Sequence, residues 1–245
     1  MNRAAALLGI ALALVWQASS SAGLVGPSVL PSPVAVLAAL ARDAALWWPH
    51  LLASLATALA GLALAVGCAL GLAAAMDRWA PVRRALYPWL VLSQTVPVIF
   101  VYPLMLIWFG FGPGARVAVV ALVCVFPLAV SLIDGLSRTE PALDRMLASF
   151  GAGPWARFRF LRFPGALPSA FTGLRISATY CVLGAVLAEW LGARAGLGVY
   201  MLRAYKSFDT ARVFSAVLLV VALSLALVGA VRLLESRYSH AELAR

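Results

Sequence analysis

The sequence predicts an all-α integral membrane protein with about six transmembrane helices. Of the 245 residues, 64% are hydrophobic and only 11% are charged, and the mean hydropathy is +0.97. Polar side chains are too few to cover a soluble globule of this length. A helix that crosses a bilayer needs about 20 apolar residues. Six stretches approach that length: 4–24, 51–75, 86–109, 115–133, 170–192 and 213–231.

The first apolar stretch permits two interpretations. It follows Arg3 and ends in the small residues 18–22, a pattern shared by uncleaved transmembrane helices and cleavable signal peptides. We expect an uncleaved helix. The proline-rich segment 27–33 then predicts an external linker, with Ser32 capping a short surface helix that runs to Arg42. The predicted organisation is an N-terminal helix with its linker (1–49), a transmembrane domain (50–235) and a cytoplasmic tail (236–245).

Basic residues predict the orientation of the spans, because cytoplasmic loops carry the excess of arginine and lysine. The net charge is +10, but the basic groups are scattered between apolar runs, so they do not indicate a nucleic-acid-binding surface. With the N-terminus inside, twelve basic residues fall in inner segments. Five fall in outer segments: Arg42, Arg194, Arg203, Lys206 and Arg212. We therefore expect both termini and the segment 134–168 in the cytoplasm.

The third predicted span carries polar residues and prolines at membrane depth. Proline removes backbone hydrogen bonds, so Pro97 and Pro103 predict a bent helix. Unsatisfied polar groups are costly in lipid, so Gln94 and the freed carbonyls should face protein or a water-filled path. Prolines are also common in transmembrane helices, so packing is the alternative. The path candidates are Ser93, Gln94, Thr95, Pro97, Tyr102 and Glu189.

Ionisable residues near the apolar stretches allow functional and structural interpretations. Glu189 and Asp134 are the carboxylates closest to hydrocarbon, which makes them functional candidates. Both lie near a predicted span end, where they can instead reach the interface or pair with an arginine. His50 lies at a span edge, and we expect no chemical role for it.

The sequence predicts no catalytic constellation and no metal site. The three cysteines, Cys68, Cys124 and Cys181, fall inside apolar runs without paired spacing, which argues against disulfides and a zinc site. Tyr205 precedes Lys206, whereas a phosphate-binding loop requires glycine there. Any ATP chemistry must therefore come from another polypeptide.

Residues 134–168, hereafter the polar island, form an arginine-bearing segment between apolar runs. The triplet 139–141 predicts a helix start, and Gly151 predicts its end. Pro164 and Pro168 are expected to stop a second short helix before the next span. The predicted result is two short helices along the membrane face. Their apolar groups indicate that a partner's groove covers them: Leu143, Met146, Leu147, Phe150 and Trp155.

The polar island resembles the cytoplasmic signature loop of permease subunits in bacterial ABC importers. The motif of that family is Glu-Ala-Ala, three residues, Gly, nine residues and Ile-x-Leu-Pro. Here Gly151 is followed by nine residues and then by Leu161-Arg162-Phe163-Pro164, whereas Arg145-Met146-Leu147 stands in place of the opening triplet. The resemblance implies a type I ABC importer permease fold. It also implies a coupling helix that contacts an ATPase, formed by Leu143, Arg145, Met146, Leu147, Phe150, Gly151, Trp155, Leu161 and Pro164.

Other segments are similar to the permeases for nitrate, sulfonates, taurine and thiamine precursors. These segments are 188–192, Gly196-Leu197-Gly198 and Gly173-Leu174-Arg175. Within that group, three more segments resemble permeases for the thiamine pyrimidine precursor, hydroxymethylpyrimidine: 93–97, Trp108-Phe109-Gly110 and 207–210. The similarity covers roughly residues 30–235.

The resemblance implies a permease rather than an enzyme. Its expected partners are a second copy of the chain, an ABC ATPase subunit, a periplasmic or lipid-anchored substrate-binding protein and membrane lipid, without nucleic acid. No cofactor is expected on this chain, since ATP and Mg belong to the ATPase. The expected location is the bacterial plasma (inner) membrane. The segment 193–212, rich in glycine and basic residues, is either a seat for the binding protein or a solvated loop.

Two other classes of protein share this composition. An ion-coupled secondary transporter predicts inverted repeats and buried ion ligands, and a membrane enzyme predicts clustered catalytic groups at one membrane face. The sequence shows neither pattern in convincing form. Within the permease group, the alternative substrates are nitrate, an alkanesulfonate or taurine.

Overall fold

The computed structural model describes the backbone of residues 3–23, 25–93, 95–190 and 192–243. Within these ranges the protein consists of α-helices and one π-helical turn, with no β-strand, which confirms the predicted fold class. The helices are α1 (Arg3–Ser21), α2 (Pro33–Arg42), α3 (Ala44–Arg78), α4 (Ala80–Ser93), α5 (Val98–Phe109), α6 (Pro113–Ser137), α7 (Pro141–Ser149), α8 (Pro154–Arg157), α9 (Phe163–Glu189), α10 (Leu197–Lys206) and α11 (Thr210–Leu243). The π-helical turn, Phe158–Arg162, joins α8 to α9.

Four helices are long and apolar enough to cross a bilayer: α3, α6, the continuous run Pro154–Glu189, and Thr210–Tyr238 of α11. A fifth candidate is the pair α4 and α5, which meet at an angle of 107°. The first predicted span forms α1, but its described apolar part, Leu7–Ser21, is shorter than a full span. By length and composition, the described residues therefore provide four to five spans where the sequence predicted about six.

The expectation that Pro164 and Pro168 separate the polar island from the following span is wrong. Pro164 lies in the first turn of α9, where a missing N–H disrupts little, and α9 also accommodates Pro168. The π-helical turn before them closes with a hydrogen bond from the Phe163 N–H to the Phe158 carbonyl. The short helix α8 is therefore continuous with α9 instead of lying separately along the membrane face.

The core forms where α3, α6 and α9 pack together. α6 and α9 approach closely because small residues face each other. A Cβ on Gly135 would lie 2.9 Å from the Cβ of Ser169, and a Cβ on Gly173 would lie 2.7 Å from the Cβ of Ser131. Neither position has room for a side chain without movement of its neighbour. Representative core residues are Ala65, Met76, Val120, Cys124, Leu132 and Val182.

The two ends of the bundle carry different elements. α9 begins at the polar island and ends at Glu189, whereas α3 begins after Asp43 and ends beside the polar island. The end opposite the polar island therefore carries α2, α10 and the starts of α3 and α11. The predicted coupling residues and Glu189 lie at opposite ends of the same helical scaffold.

Candidate functional site

α7 ends in a hydrogen-bonded stop, as the sequence predicts. Gly151 takes a left-handed conformation with φ +83°. The N–H of Gly151 donates to the Ala148 carbonyl and the N–H of Ala152 donates to the Leu147 carbonyl, both at 3.0 Å. This pair of bonds is the Schellman motif, in which glycine is the favoured residue. The chain therefore leaves α7 in a defined direction before α8 begins.

Much of the predicted apolar face of the polar island is exposed. Phe150 and Trp155 are 79% and 71% exposed, and Leu143 and Met146 are exposed as well. Leu147 is half-buried, so it contributes less to this surface than predicted. Of the other candidates, Arg145 and Gly151 are exposed, while Leu161 and Pro164 are half-buried. Exposed apolar side chains grouped on one surface are typical of sites of protein or membrane contact.

Two ion pairs hold the polar island in place. Arg157 Nη1 lies 2.7 Å from Asp144 Oδ2 and ties α8 to α7. Arg162 Nη2 lies 2.8 Å from Asp77 Oδ1 and ties the π-helical turn to the last turn of α3. All four side chains line a cavity of about 870 Å³ between α3 and the polar island. The roles of Asp77 and Asp144 could not be predicted, because no local pattern marks their distant arginine partners.

The third predicted span bends, as expected, and the break lies between α4 and α5. Ser93 Oγ donates to the Leu90 carbonyl at 2.7 Å, and Thr95 Oγ1 donates to the Leu92 carbonyl at 2.8 Å. These two side chains and Pro97 are exposed. The path role of these three residues stays a prediction. Gln94, also predicted for the path, lies outside the residues that the structure describes.

Tyr102, another residue predicted for the path, is buried. It packs with Val119 of α6 and Ala188 of α9, and so holds α5 against the core. α5 also has exposed apolar side chains, including those of Ile107 and Trp108. One side of α5 therefore packs against the core through Tyr102, while its other apolar side chains are exposed.

Glu189 lies at the centre of a buried hydrogen-bond network at the opposite end of the bundle. Its side chain is 1% exposed. Its Oε1 accepts a hydrogen bond from the Ser54 hydroxyl at 2.7 Å, and its Oε2 accepts one from the Gly198 N–H at 2.8 Å. Ser54 Oγ in turn accepts a hydrogen bond from the Leu197 N–H at 2.7 Å. The carboxylate and the hydroxyl thus satisfy N–H groups at the first turn of α10, where negative charge is favoured.

Glu189 is buried inside the bundle, because α10 packs over that end of α9, and its partners are Ser54 and Gly198 instead of the arginine that one interpretation allowed. Of the two interpretations of Glu189, functional and structural, the hydrogen-bond network agrees with the structural one. His50, for which no chemical role was expected, is buried and has a structural role, since its Nδ1 accepts a hydrogen bond from the Gly196 N–H at 2.9 Å. Asp134, the other carboxylate near hydrocarbon, is exposed.

This network explains the two glycines at the start of α10, Gly196 and Gly198. Gly196 has φ +136°, and a Cβ on it would overlap the Glu189 carboxylate. A Cβ on Gly198 would overlap the Val186 carbonyl and lie 2.9 Å from Trp190 Cδ1. Only glycine lets the first turn of α10 approach the carboxylate so closely. The segment Gly196-Leu197-Gly198, which resembles the related permeases, therefore has glycines for a steric reason.

A charged cluster at this end joins α2, α3 and α11. Buried Asp43 lies between two arginines: Arg42 Nε is 3.0 Å from Asp43 Oδ1, and Arg212 Nε is 2.8 Å from Asp43 Oδ2. Asp209 Oδ2 lies 3.7 Å from the Arg212 Nε. The hydrogen bond from Arg42, with that from Arg212, lowers the pKa of Asp43 to about 2 although burial opposes the shift. Asp43 is therefore ionised at physiological pH.

The segment 193–212 is not a solvated loop, because much of it forms α10, which has buried side chains. α10 ends with the same type of stop as α7. The Phe208 N–H donates to the Tyr205 carbonyl at 3.1 Å, and the Asp209 N–H donates to the Ala204 carbonyl at 3.0 Å. A phenylalanine thus occupies the position where glycine is favoured. Phe208 has φ +57° and is 90% exposed, so its ring gains little from packing inside the chain.

The chain is similar to known membrane transport components. A family model described as the binding-protein-dependent transport system inner membrane component matches residues 67–240. The formylaminopyrimidine transport permease protein ThiX of Halalkalibacterium halodurans is 37% identical over 232 residues, which cover 94% of this chain and 92% of that protein. The taurine transport system permease protein TauC of Escherichia coli is 33% identical over 219 residues, which cover 86% of this chain and 79% of that protein.

Among solved structures, the crystal structure of an amino acid ABC transporter with histidines has a similar fold. It matches with a TM-score of 0.64 at 15% identity and covers 82% of this chain and 95% of that chain. At this identity the likeness concerns the fold alone. Together with the family match, it confirms the permease fold that the sequence resemblance implied.

Proposed function

The chain belongs to the family of inner membrane components of binding-protein-dependent transport systems, and we propose that a separate ATPase drives it through the polar island. Its family and its similarity to named permeases make it a permease subunit of an ABC importer. That membership leaves no support for the ion-coupled secondary transporter or the membrane enzyme. In our proposal the chain is not an enzyme and binds no cofactor, because ATP and Mg²⁺ bind to the separate subunit.

The exposed apolar face of the polar island carries the proposal for ATPase contact. Phe150, Trp155 and Met146 are exposed, and burial of such surface in a partner's groove is favourable by about 25 cal/mol per Å². The stop at Gly151 and the ion pair between Asp144 and Arg157 make the polar island compact. When ATP draws the ATPase subunits together, the polar island moves as a body and tilts α6 and α9, which are its covalent continuations.

The proposed seat for the substrate-binding protein lies at the opposite end, around the stop of α10. Phe208, Tyr205 and Lys206 are all exposed there. Aromatic rings beside a cationic side chain are typical anchors of protein interfaces. A cavity of about 530 Å³ adjoins Phe208 and is lined by residues of α1, α2 and the linker between them. Phe208 has a strained backbone conformation, and its ring is exposed. Such strain is often found at functional sites, so a contact between this ring and another protein is favoured.

The remaining partners and the orientation follow from the arginine distribution and the apolar surface. The polar island and both termini face the cytoplasm, and α10 faces outward, in the bacterial plasma membrane. Exposed apolar side chains of α5, such as those of Ile107, Trp108 and Phe109, face lipid or a second copy of the chain. No nucleic acid takes part.

The proposed substrate is a small pyrimidine, either a formylaminopyrimidine or hydroxymethylpyrimidine. The 37% identity to a formylaminopyrimidine permease supports this choice, and the similarity to a taurine permease keeps taurine as the alternative, with alkanesulfonates and nitrate behind it. The proposed path passes the break between α4 and α5, beside Ser93, Thr95 and Pro97, and the sequence adds Gln94 to these candidates. Tyr102 and Glu189 are buried, so they line the path only after the helices around them separate.

A reciprocal pair of substitutions tests the two docking surfaces. Phe150→Asp is expected to abolish co-purification of the ATPase subunit and to leave capture of the binding protein unchanged. Phe208→Asp is expected to do the reverse. Both rings are exposed, so each variant is the matched control for the other in a pull-down from cells that express all subunits. ATPase retention by Phe150→Asp at the wild-type level would contradict the proposal.

A further inference from the structure

The polar island is attached to the three core helices in two different ways. Within the polar island, residues 138–140 connect α6 to α7, and the π-helical turn connects α8 to α9. α3 has no such covalent connection, because the chain leaves Arg78 at its end and enters α4. A movement of the polar island therefore reaches α6 and α9 through the backbone, whereas it must reach α3 through side chains.

The ion pair between Asp77 and Arg162 links α3 to the polar island. The pair spans 2.8 Å, and the side chains of Asp77 and Arg162 are 13% and 31% exposed. Both residues line the 870 Å³ cavity, Asp77 on the α3 side and Arg162 on the side of the polar island. Because the cavity leaves space between the two walls, this charged contact joins them where apolar packing is incomplete.

The position of Arg162 in the chain supports a mechanical role. Arg162 is the last residue of the π-helical turn, directly before α9 begins at Phe163. π-helical turns are rare and occur frequently at functional sites. An ion pair at this distance in a partly buried site is screened by salt less than an exposed pair. Removal of one partner leaves the other charge without its counter-ion in a partly buried site.

We propose that the ion pair of Asp77 and Arg162 conveys the displacement of the polar island to α3, so that both are positioning residues for transport. This inference rests on the proposed role of the polar island as the surface that contacts the ATPase. It adds that this side-chain pair couples the end of α3 directly to the polar island, beside the core packing of α3 against α6 and α9. Without that pair, the ATPase still binds and still moves α9, but α3 follows less far because only the core packing still links it to the moving helices.

The test compares the movement of α3 with that of α9 in the assembled complex of permease and ATPase in nanodiscs. Cys68 is an exposed native thiol of α3, and it is spin-labelled together with a cysteine that replaces exposed Leu225 in α11. To follow α9, the first spin label is moved from Cys68 to Leu183→Cys, and the second label stays at position 225. The buried Cys124 and Cys181 are changed to alanine in both backgrounds. Distances are measured by pulsed electron paramagnetic resonance with and without a non-hydrolysable ATP analogue.

In the otherwise unaltered complex, the analogue is expected to shift both distances. In Asp77→Asn and in Arg162→Gln, the α9 distance should still shift in full, while the shift of the α3 distance is clearly reduced. The double variant should behave like either single variant, because the two side chains act as a pair. Arg162→Lys keeps the charge and should retain part of the shift. Arg78→Gln, which removes an exposed arginine that lines the same cavity, is the matched control and should retain all of it.

The outcomes separate this inference from the proposed function. A full shift of α3 in Asp77→Asn and Arg162→Gln, beside the normal shift of α9, would overturn the inference alone. The absence of any shift at either helix in the unaltered complex would overturn the role of the polar island and the inference with it. A loss of both shifts together with the ATPase from the two variants would show that the pair maintains the polar island rather than linking it to α3.

Discussion

The carboxylate of Glu189 and the hydroxyl of Ser54 are joined by a 2.7 Å hydrogen bond inside the helical bundle. Ser54 belongs to α3 and Glu189 ends α9, and both also bind N–H groups at the first turn of α10. This pair therefore holds three helices together at the end opposite the polar island. Because Ser54 and Glu189 are both buried, the loss of either partner leaves polar groups unsatisfied.

Glu189→Ala should destabilise the protein. The Ser54 hydroxyl and the Gly198 N–H lose their acceptor, at a cost of roughly 1–3 kcal/mol for each buried group. Glu189→Gln keeps one acceptor oxygen and should lose less. Thermal unfolding in detergent measures the effect, with Glu140→Ala at an exposed position as the control. Equal unfolding midpoints for Glu189→Ala and the control would contradict the structural role of the network.

Gly196→Ala should be more harmful than an ordinary glycine substitution. The backbone at φ +136° and ψ 159° suits glycine almost alone, and the added Cβ would overlap the Glu189 carboxylate. We expect a loss of roughly 1–3 kcal/mol from the backbone alone. Gly114→Ala, in the first helical turn of α6 with open space around it, should be close to neutral. Similar expression and unfolding midpoints for the two variants would show that α10 does not need this close approach.

Phe208→Gly should leave stability unchanged or raise it slightly while weakening capture of the substrate-binding protein. A left-handed conformation costs a non-glycine residue about 1–2 kcal/mol, and the 90% exposed ring contributes little packing in return. The greater freedom of glycine in the unfolded chain offsets part of the gain. Unfolding midpoints and pull-downs on the same preparations measure both effects. A clear drop in the midpoint would mean that the ring stabilises the chain itself.

The contribution of Asp43 to stability should disappear only in strong acid. Its pKa falls from an unfolded value of about 3.9 to about 2 beside Arg42 and Arg212. A lowered pKa in the folded state means that the stabilisation is complete above the unfolded value and is lost as the pH falls through about 2. The midpoint difference between wild type and Asp43→Asn should therefore be constant above pH ~4 and shrink below it. The exposed Asp134→Asn should change the midpoint little, and a difference that vanishes already at neutral pH would contradict these pairs.

Features that depend on nearby residues could be predicted from the sequence. The apolar runs predicted the spanning helices, Pro141 and Gly151 predicted the limits of α7, and the prolines of the third span predicted its bend. Each follows from local backbone chemistry. The exposed face around Phe150 could also be predicted, because its apolar residues recur at helical spacing outside a spanning run.

Features that depend on distant contacts could not be predicted. Glu189 appeared close to the interface because α10 was not recognised as a helix that packs over it, and its partner Ser54 lies on another element. The expectation for Pro164 failed for a different reason. A proline stops a regular helix by removing a bond to an earlier turn, but the π-helical turn before it already changes that pattern. Asp77 resembled any charged residue at a span end until its distance to Arg162 was known.

Site-specific photocrosslinking from position 150 tests most directly whether the polar island contacts the ATPase. A photoreactive phenylalanine analogue replaces Phe150 in the complete transporter in cells, and the same analogue at position 208 is the control. Position 150 is expected to crosslink to the ATPase subunit, and position 208 to the substrate-binding protein. Crosslinks from position 150 to lipid or to the binding protein, without any to the ATPase subunit, would contradict the coupling role of the polar island.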